Sequence, residues 1–371
     1  MHDGTTDRPA FSVELHGARG LFSLLVFVFH VENSGLPQLF GWEFMATLLD
    51  PLKFGVELFF ALSGYVIIGT LARARTPLAF LFDRATRIYP VLWIGVLTVV
   101  LLSLVSGREA PASFAGWPLL LHTLANLAAL PNLLPFPLFL APAWTLSYEL
   151  CFYLFGCIYL VCRRRLSLNI FPILLVLSLP IIDTHPRALF FLSGILVATG
   201  YSRYLRLPIL AERPVLSLLV FLWSWNSVHL LNLPEFRTMT QWFDGSAWLY
   251  AVIAFASAAL FLDGLVRSKG RLSAFLRSPA MLYFGTISYS FYLWHPVVMA
   301  IVKSTLASLG LFTVAGNLSQ FLFFLAALPP SILVGHLSQR WIERDLTRLI
   351  RTKLRPRPLT PVLPIEIAPA P

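Results

Sequence analysis

Ten runs of mostly apolar residues punctuate the chain, at 16–33, 54–72, 88–106, 143–162, 167–183, 186–202, 212–230, 246–265, 281–303 and 317–340. A helix rises about 1.5 Å per residue, so roughly 20 such residues cross the ~30 Å hydrocarbon core of a bilayer. The pattern predicts an all-α integral membrane protein with about ten transmembrane helices. The fifth and sixth runs are short and are separated only by Asp183-Thr184-His185-Pro186, which predicts a tight hairpin at one membrane face. Residues 117–135 are also apolar but are broken by Pro131, Pro135 and Pro137, which suits a re-entrant or surface helix better than an eleventh span. The first run has a polar preface (Glu14, His16, Arg19) and no small-residue cleavage site after it, so it reads as a retained helix. The last twenty residues are proline-rich and read as a disordered tail. The expected organisation is a short N-terminus over 1–10, a transmembrane domain over 11–345, and a basic, proline-rich tail over 346–371.

The polar positions between the runs orient them. With the N-terminus in the cytoplasm, 23 of the 28 Lys and Arg residues fall on the inner side. These include Arg73, Arg75, Arg84 and Arg87, the Arg163-Arg164-Arg165 triplet, and the series from Arg340 to Arg357. Lys53, Arg108, Arg187, Arg237 and Lys303 are left outside. Cytoplasmic loops carry such an excess of Lys and Arg. Both termini are therefore expected in the cytoplasm.

Composition agrees and removes one rival. Charged residues make up 12% of the chain, hydrophobic residues 57%, and mean hydropathy is +0.74; soluble domains carry about 25% charged residues. A net charge of +10 would suit a nucleic-acid binder, but the basic residues are spread between apolar runs and form no basic domain, so no nucleic-acid partner is expected. Cys151, Cys157 and Cys162 sit in one apolar run without metal-ligand or disulfide spacing and read as packing residues. No metal is expected.

Ionisable groups within apolar runs are costly and mark candidate chemistry. Arg19 and His30 are eleven residues apart in the first run, which puts them on one helix face, roughly 16 Å apart along its axis. A cation at the inner mouth and an imidazole deep inside suit a long ligand with an anionic head and a reactive tip. Glu57 in the second run, Ser147 and Glu149 in the fourth, and His295 in the ninth all fall toward the outer half. Two imidazoles and two carboxylates are thus expected at one depth, an arrangement in which a carboxylate fixes the imidazole tautomer and raises its basicity. The blander readings are a histidine meeting headgroups at a helix end, arginines that only set topology, and serines that only pack helices.

These residues also carry a resemblance. Leu15-His16-Gly17-Ala18-Arg19-Gly20 through Phe29-His30 resembles the opening segment of the acyltransferase family 3 membrane proteins, a basic residue, ten intervening residues and a histidine. The segment from Gly55 to Gly64 resembles the family's second-helix motif, and Arg84-Ala85-Thr86-Arg87-Ile88-Tyr89-Pro90 its cytoplasmic Arg-x-x-Arg motif. Trp144-Thr145-Leu146-Ser147-Tyr148-Glu149 resembles the fourth-helix motif, and the stretch from Ile287 to Pro296 the late Tyr-Leu-Trp-His segment. The matches run in order over roughly residues 11–345. Two positions depart: His16 and Glu57 stand where the family often has Asp. Glu57 keeps the charge; His16 does not and takes no carried-over role. No hydrolase-like domain of the kind fused to some members is expected.

The resemblance implies an acyl-CoA donor, usually acetyl-CoA, used from the cytoplasm, and an acceptor hydroxyl on the far side of the inner membrane. Arg19, Arg84 and Arg87 would then bind the donor phosphates, since guanidinium pairs well with phosphate. His30 would serve as general base or acyl carrier, with Glu57, Glu149 and His295 completing the catalytic set. Trp144, Tyr292 and Trp294 are candidates to line the acceptor site. An external glycan is the leading acceptor, with a small hydroxylated metabolite such as a macrolide as its rival. A transporter or flippase of lipid-linked sugars is a reading of another class, against which stands the lack of paired broken helices in matching halves. A non-catalytic scaffold would leave Arg19 and His30 an unexplained cost.

Overall fold

The computed structural model describes residues 12–38, 42–108, 110–205, 207–230, 247–267 and 270–354. Arg8, Arg206, Arg237, Lys269 and the proline-rich end of the tail lie outside these. In chain order the helices are α1 Val13–Glu32, α2 Trp42–Leu49, α3 Gly55–Arg73, α4 Pro77–Ser106, α5 Gly116–Leu127, α6 Trp144–Arg165, α7 Phe171–Thr184 and α8 Leu189–Ala198. They continue as α9 Pro208–Glu212, α10 Pro214–Leu230, α11 Ala247–Arg267, α12 Arg271–Leu276, α13 Pro279–Ser308, α14 Leu311–Ala315 and α15 Ser319–Ser338. A π-helical stretch, Gln339–Leu346, then leads into α16, Thr347–Leu354.

Local chemistry sets several of these boundaries. Helix α1 starts at Ser12, whose hydroxyl accepts from the Leu15 amide. Thr76 does the same for α4, with Pro77 next, and Ser278 for α13, with Pro279 next. A capping hydroxyl satisfies an amide that has no intrahelical partner, and proline at the first helical position loses nothing. Helix α4 ends at Gly107, which adopts the left-handed conformation (φ 67°).

Helices lie over all ten expected spans. Among the described residues, six helical stretches are long and apolar enough to cross a membrane: Val13–Glu32, Thr47–Arg73, Pro77–Ser106, Ala141–Arg165, Ala247–Arg267 and Leu311–Leu354. The chain is an all-α multi-pass membrane protein. The fifth and sixth spans are the clearest departure: α7 has 14 residues and α8 has 10, about 21 and 15 Å of rise, short of a full crossing. Between them Pro186–Ala188 forms a single 3₁₀ turn, the expected hairpin. Helix α5, at 12 residues, is likewise too short to span. The expected tail is helical as far as Leu354.

Close helix pairs position the site. Helices α1 and α13 run in the same direction and touch at Gly20 and Gly285. A Cβ on Gly20 would lie 2.6 Å from the Met281 carbonyl oxygen, and one on Gly285 would lie 2.2 Å from that of His16. Only glycine permits this approach, as in other small-residue helix contacts in membranes. Ten residues further along each helix stand His30 and His295. One crossing therefore sets the register that brings the two imidazoles together. Phe27, Phe291 and Phe323 pack beside this pair, while a larger core fills the space among α3, α6, α8, α10 and α11.

Candidate active site

Three cavities stand in series through the bundle. The first, about 660 Å³, is lined by Arg19 of α1, Arg84 and Arg87 of α4, and Ser63, Glu149 and Tyr153. A neck of about 70 Å³ follows, sharing Arg19, Arg87, Ser63 and Glu149 with the first chamber and adding Tyr289 and Tyr292. The third, about 370 Å³, shares Val56 and Tyr292 with the neck and is lined by His30, Lys53, Trp144, Tyr148 and Arg187. The eleven-residue spacing on α1 thus puts Arg19 at one end of the path and His30 at the other.

The arginine end is dense in charge. Glu149 accepts from Tyr153 and from Ser63 at 3.5 Å, and the Arg84 guanidinium stands 5.8 Å from the centre of the Tyr153 ring. Arg19 and Arg87 both feel the carboxylates of Glu149 and Glu343. His16 lines the same chamber, its Nε2 3.1 Å from the Thr286 hydroxyl. A chamber with three guanidiniums set against neighbouring carboxylates has room and charge for a polyanion.

At the other end the two imidazoles stand with ring centres 5.1 Å apart. His295 is fully buried, and its Nδ1 lies 3.1 Å from the Phe291 carbonyl oxygen. A carbonyl can only accept, so Nδ1 carries the proton and Nε2 keeps its lone pair. That Nε2 is buried and has no hydrogen-bond partner among the described residues. His30 borders the open chamber, where a substrate hydroxyl can reach it.

Two parts of the sequence expectation are corrected here. The two carboxylates do not converge with the imidazoles. Glu57 is fully buried, accepts from Trp225 Nε1 at 3.0 Å, and lies 3.6 Å from Arg187 Nε. Glu149 belongs to the neck and the arginine chamber. Both take other partners because helix rotation follows packing: α3 turns Glu57 toward Trp225 of α10, and α6 turns Glu149 toward Ser63 of α3. Trp294 also leaves the expected aromatic group, since its indole donates to Ser338 at 3.0 Å, whereas Trp144 and Tyr292 line the chamber. Ser147 is a packing residue, bonded to the Pro131 carbonyl at 2.5 Å.

Sequence reasoning missed Arg187, Tyr148 and Glu343. Arg187 was assigned to an outer loop, yet its guanidinium stands 5.2 Å from the centre of the Trp144 ring and lines the histidine chamber. Tyr148 also lines it, 3.0 Å from His185 Nδ1 and 3.2 Å from Asn132 Nδ2. Its position inside the Trp144–Glu149 motif was the available signal.

A family profile described as an acyltransferase domain matches residues 12–336, and the chain belongs to this acyltransferase family 3. Among individual proteins it is similar to "Exopolysaccharide production protein ExoZ" of Rhizobium meliloti (strain 1021), 28% identical over 318 residues, which cover 81% of this chain and 90% of that protein. No solved structure matches.

Proposed function

We propose that the protein transfers an acetyl group from cytoplasmic acetyl-CoA to a hydroxyl of an extracytoplasmic glycan, across the inner membrane. The single observation that carries this reading is the series of three cavities joining the arginine chamber to the histidine chamber. The phosphates of the donor sit on Arg19, Arg84 and Arg87, and its extended pantetheine arm passes the neck. The Arg19-to-His30 rise of about 16 Å suits that arm. His30 takes the proton of the acceptor hydroxyl as its oxygen attacks the thioester carbonyl. The tetrahedral intermediate collapses to the ester, the carbon–sulfur bond breaks, and the CoA thiolate leaves and takes up the proton.

The remaining candidates support these two ends. His295, its tautomer set by Phe291, packs its ring beside that of His30 and helps hold it in place. Glu149 balances the guanidiniums at the neck, and Glu57 holds Arg187 against Trp144 in the acceptor chamber. A glycan is favoured as acceptor by the similarity to an exopolysaccharide production protein and by aromatic rings beside polar groups in that chamber.

Ten membrane crossings with both termini cytoplasmic belong to the same proposal. Reporters fused after Arg87, Arg165 and Arg277 should read as cytoplasmic, and one after Asp50 as external. Purified protein given labelled acetyl-CoA and the glycan should form an O-acetyl ester. Cells lacking the gene should lose acetyl groups from a surface glycan in mass mapping. Acetyl-CoA left intact by folded protein in the presence of that glycan would refute the reading.

A further inference from the structure

The family match ends at residue 336, and the chain beyond it packs back against α13 and α4. In the π-helical stretch Gln339–Leu346, Glu343 accepts from Ser290 Oγ at 3.1 Å, and Ser338 Oγ is 3.1 Å from the same serine. A π-helical turn inserts an extra residue per turn and re-aims the side chains that follow, a feature frequent at functional sites.

Helix α16 makes a second contact, with α4. Arg351 Nε donates to Thr86 Oγ1 at 2.9 Å and its Nη2 to the Asp83 carbonyl at 2.9 Å. Thr347 Oγ1 donates to the Thr86 carbonyl at 3.0 Å. Thr86 is buried and lies between Arg84 and Arg87, so α16 grips the turn that aims both guanidiniums.

We infer that residues 339–354 are a positioning segment of the donor site: Arg351 with Thr347 fixes the Arg84–Arg87 turn, and Glu343 ties the segment to α13 through Ser290. This rests on the proposal that the arginine chamber binds acyl-CoA. Arg351 and Thr347 need not touch the donor; they act through Arg84 and Arg87. The basic residues of this segment thus serve the site as well as marking the cytoplasmic side.

The test uses the full chain in lipid nanodiscs, with acetyl-CoA binding by calorimetry and steady-state kinetics. Arg351→Ala should weaken acetyl-CoA binding and raise its KM by about tenfold, the size of a charge-assisted bond, with kcat at saturating donor within about twofold. Thr347→Val, which removes one neutral bond, should cost about threefold, and Arg348→Ala, on the same helix, should cost less than that. Combined with Arg87→Gln, Arg351→Ala should add less than its own separate factor, because both act on one element. Amides of residues 83–87 should exchange faster with deuterium in ligand-free Arg351→Ala and in Thr347→Val. Unchanged exchange, unchanged donor KM in both variants, or fully multiplicative losses would each overturn the inference. The underlying reading fails separately: then Arg84→Gln with Arg87→Gln would leave acetyl-CoA affinity intact, while the exchange at 83–87 would still report the clamp.

Discussion

The two ends of the path are built in different ways. The arginine end draws on α1, α3, α4 and α6, and sets Glu149 among its guanidiniums. Several elements must therefore be in place before its charges balance. The histidine end depends chiefly on one parallel helix pair, α1 and α13, held close at Gly20 and Gly285. Binding a flexible polyanion tolerates small displacements, because Coulombic attraction changes gradually with distance. Proton transfer does not, since the base must come within hydrogen-bond reach of one hydroxyl. The end that requires accuracy is the one set by direct backbone contact.

The largest effect should come from His30. Its replacement by Gln keeps size and polarity but removes the base, and turnover should fall by about 10²–10⁴-fold, with insertion and acetyl-CoA binding retained. Full acceptor acylation at wild-type protein level would erase the chemical distinction between the two ends.

Exchanging Arg84 and Arg87 together for Gln should weaken acetyl-CoA binding at least about tenfold, since each charge-assisted contact is worth roughly 1.5–3 kcal/mol. Turnover at saturating donor should fall far less. Lys at both positions should keep the topology better than it keeps the affinity, because an ammonium lacks the two-pronged contact. Equal losses in kcat from the histidine and the arginine variants would mean that the division into binding and chemistry is wrong.

Gly285→Ala tests the backbone contact itself. The added Cβ forces α13 away from His16, at a cost of about 1–3 kcal/mol typical of overpacking. The thermal midpoint should drop, and activity should fall more than acetyl-CoA affinity does, as His295 shifts relative to His30. A change confined to donor affinity would contradict the register argument.

The smallest effect should be that of Glu57→Gln. Because Glu57 holds Arg187 and Trp225, this change should raise acceptor KM by about threefold and leave acetyl-CoA affinity as it was. If instead it reproduced the kcat loss of His30→Gln, the carboxylate would be acting on the imidazole after all.

Much of the fold was legible because bilayer burial needs length and hydrophobicity alone. Every expected span coincides with a helix, and the Asp183–Pro186 hairpin falls where its residues indicated. The shortness of α7 and α8 was legible in part: their runs, 167–183 and 186–202, are the shortest of the ten, and each helix is shorter still. Arg19 and His30 could be put on one face because spacing along a helix fixes which residues share it, whereas Arg84 and Arg87 were singled out by the resemblance to a family motif. Glu57 and Glu149 were expected beside the imidazoles, yet Glu57 pairs with Trp225 and Arg187, and Glu149 lines the arginine chamber and the neck, because residue count along one helix fixes neither its tilt nor its rotation.

What the sequence by itself determined was therefore one-dimensional: apolar lengths, the asymmetry of basic residues, and same-face spacing within a single helix. Only the tertiary structure decided the contacts between helices. It turned Glu57 to Trp225, Glu149 to Ser63, and Arg187 inward over Trp144, brought His295 beside His30, tied Glu343 to Ser290, and returned Arg351 to the turn that carries Arg84 and Arg87. The physical reason is that a helix in an apolar medium can present any of its faces to a neighbour at similar hydrophobic cost. Which face it presents is settled by close packing at small residues and by the need to pair each buried polar group.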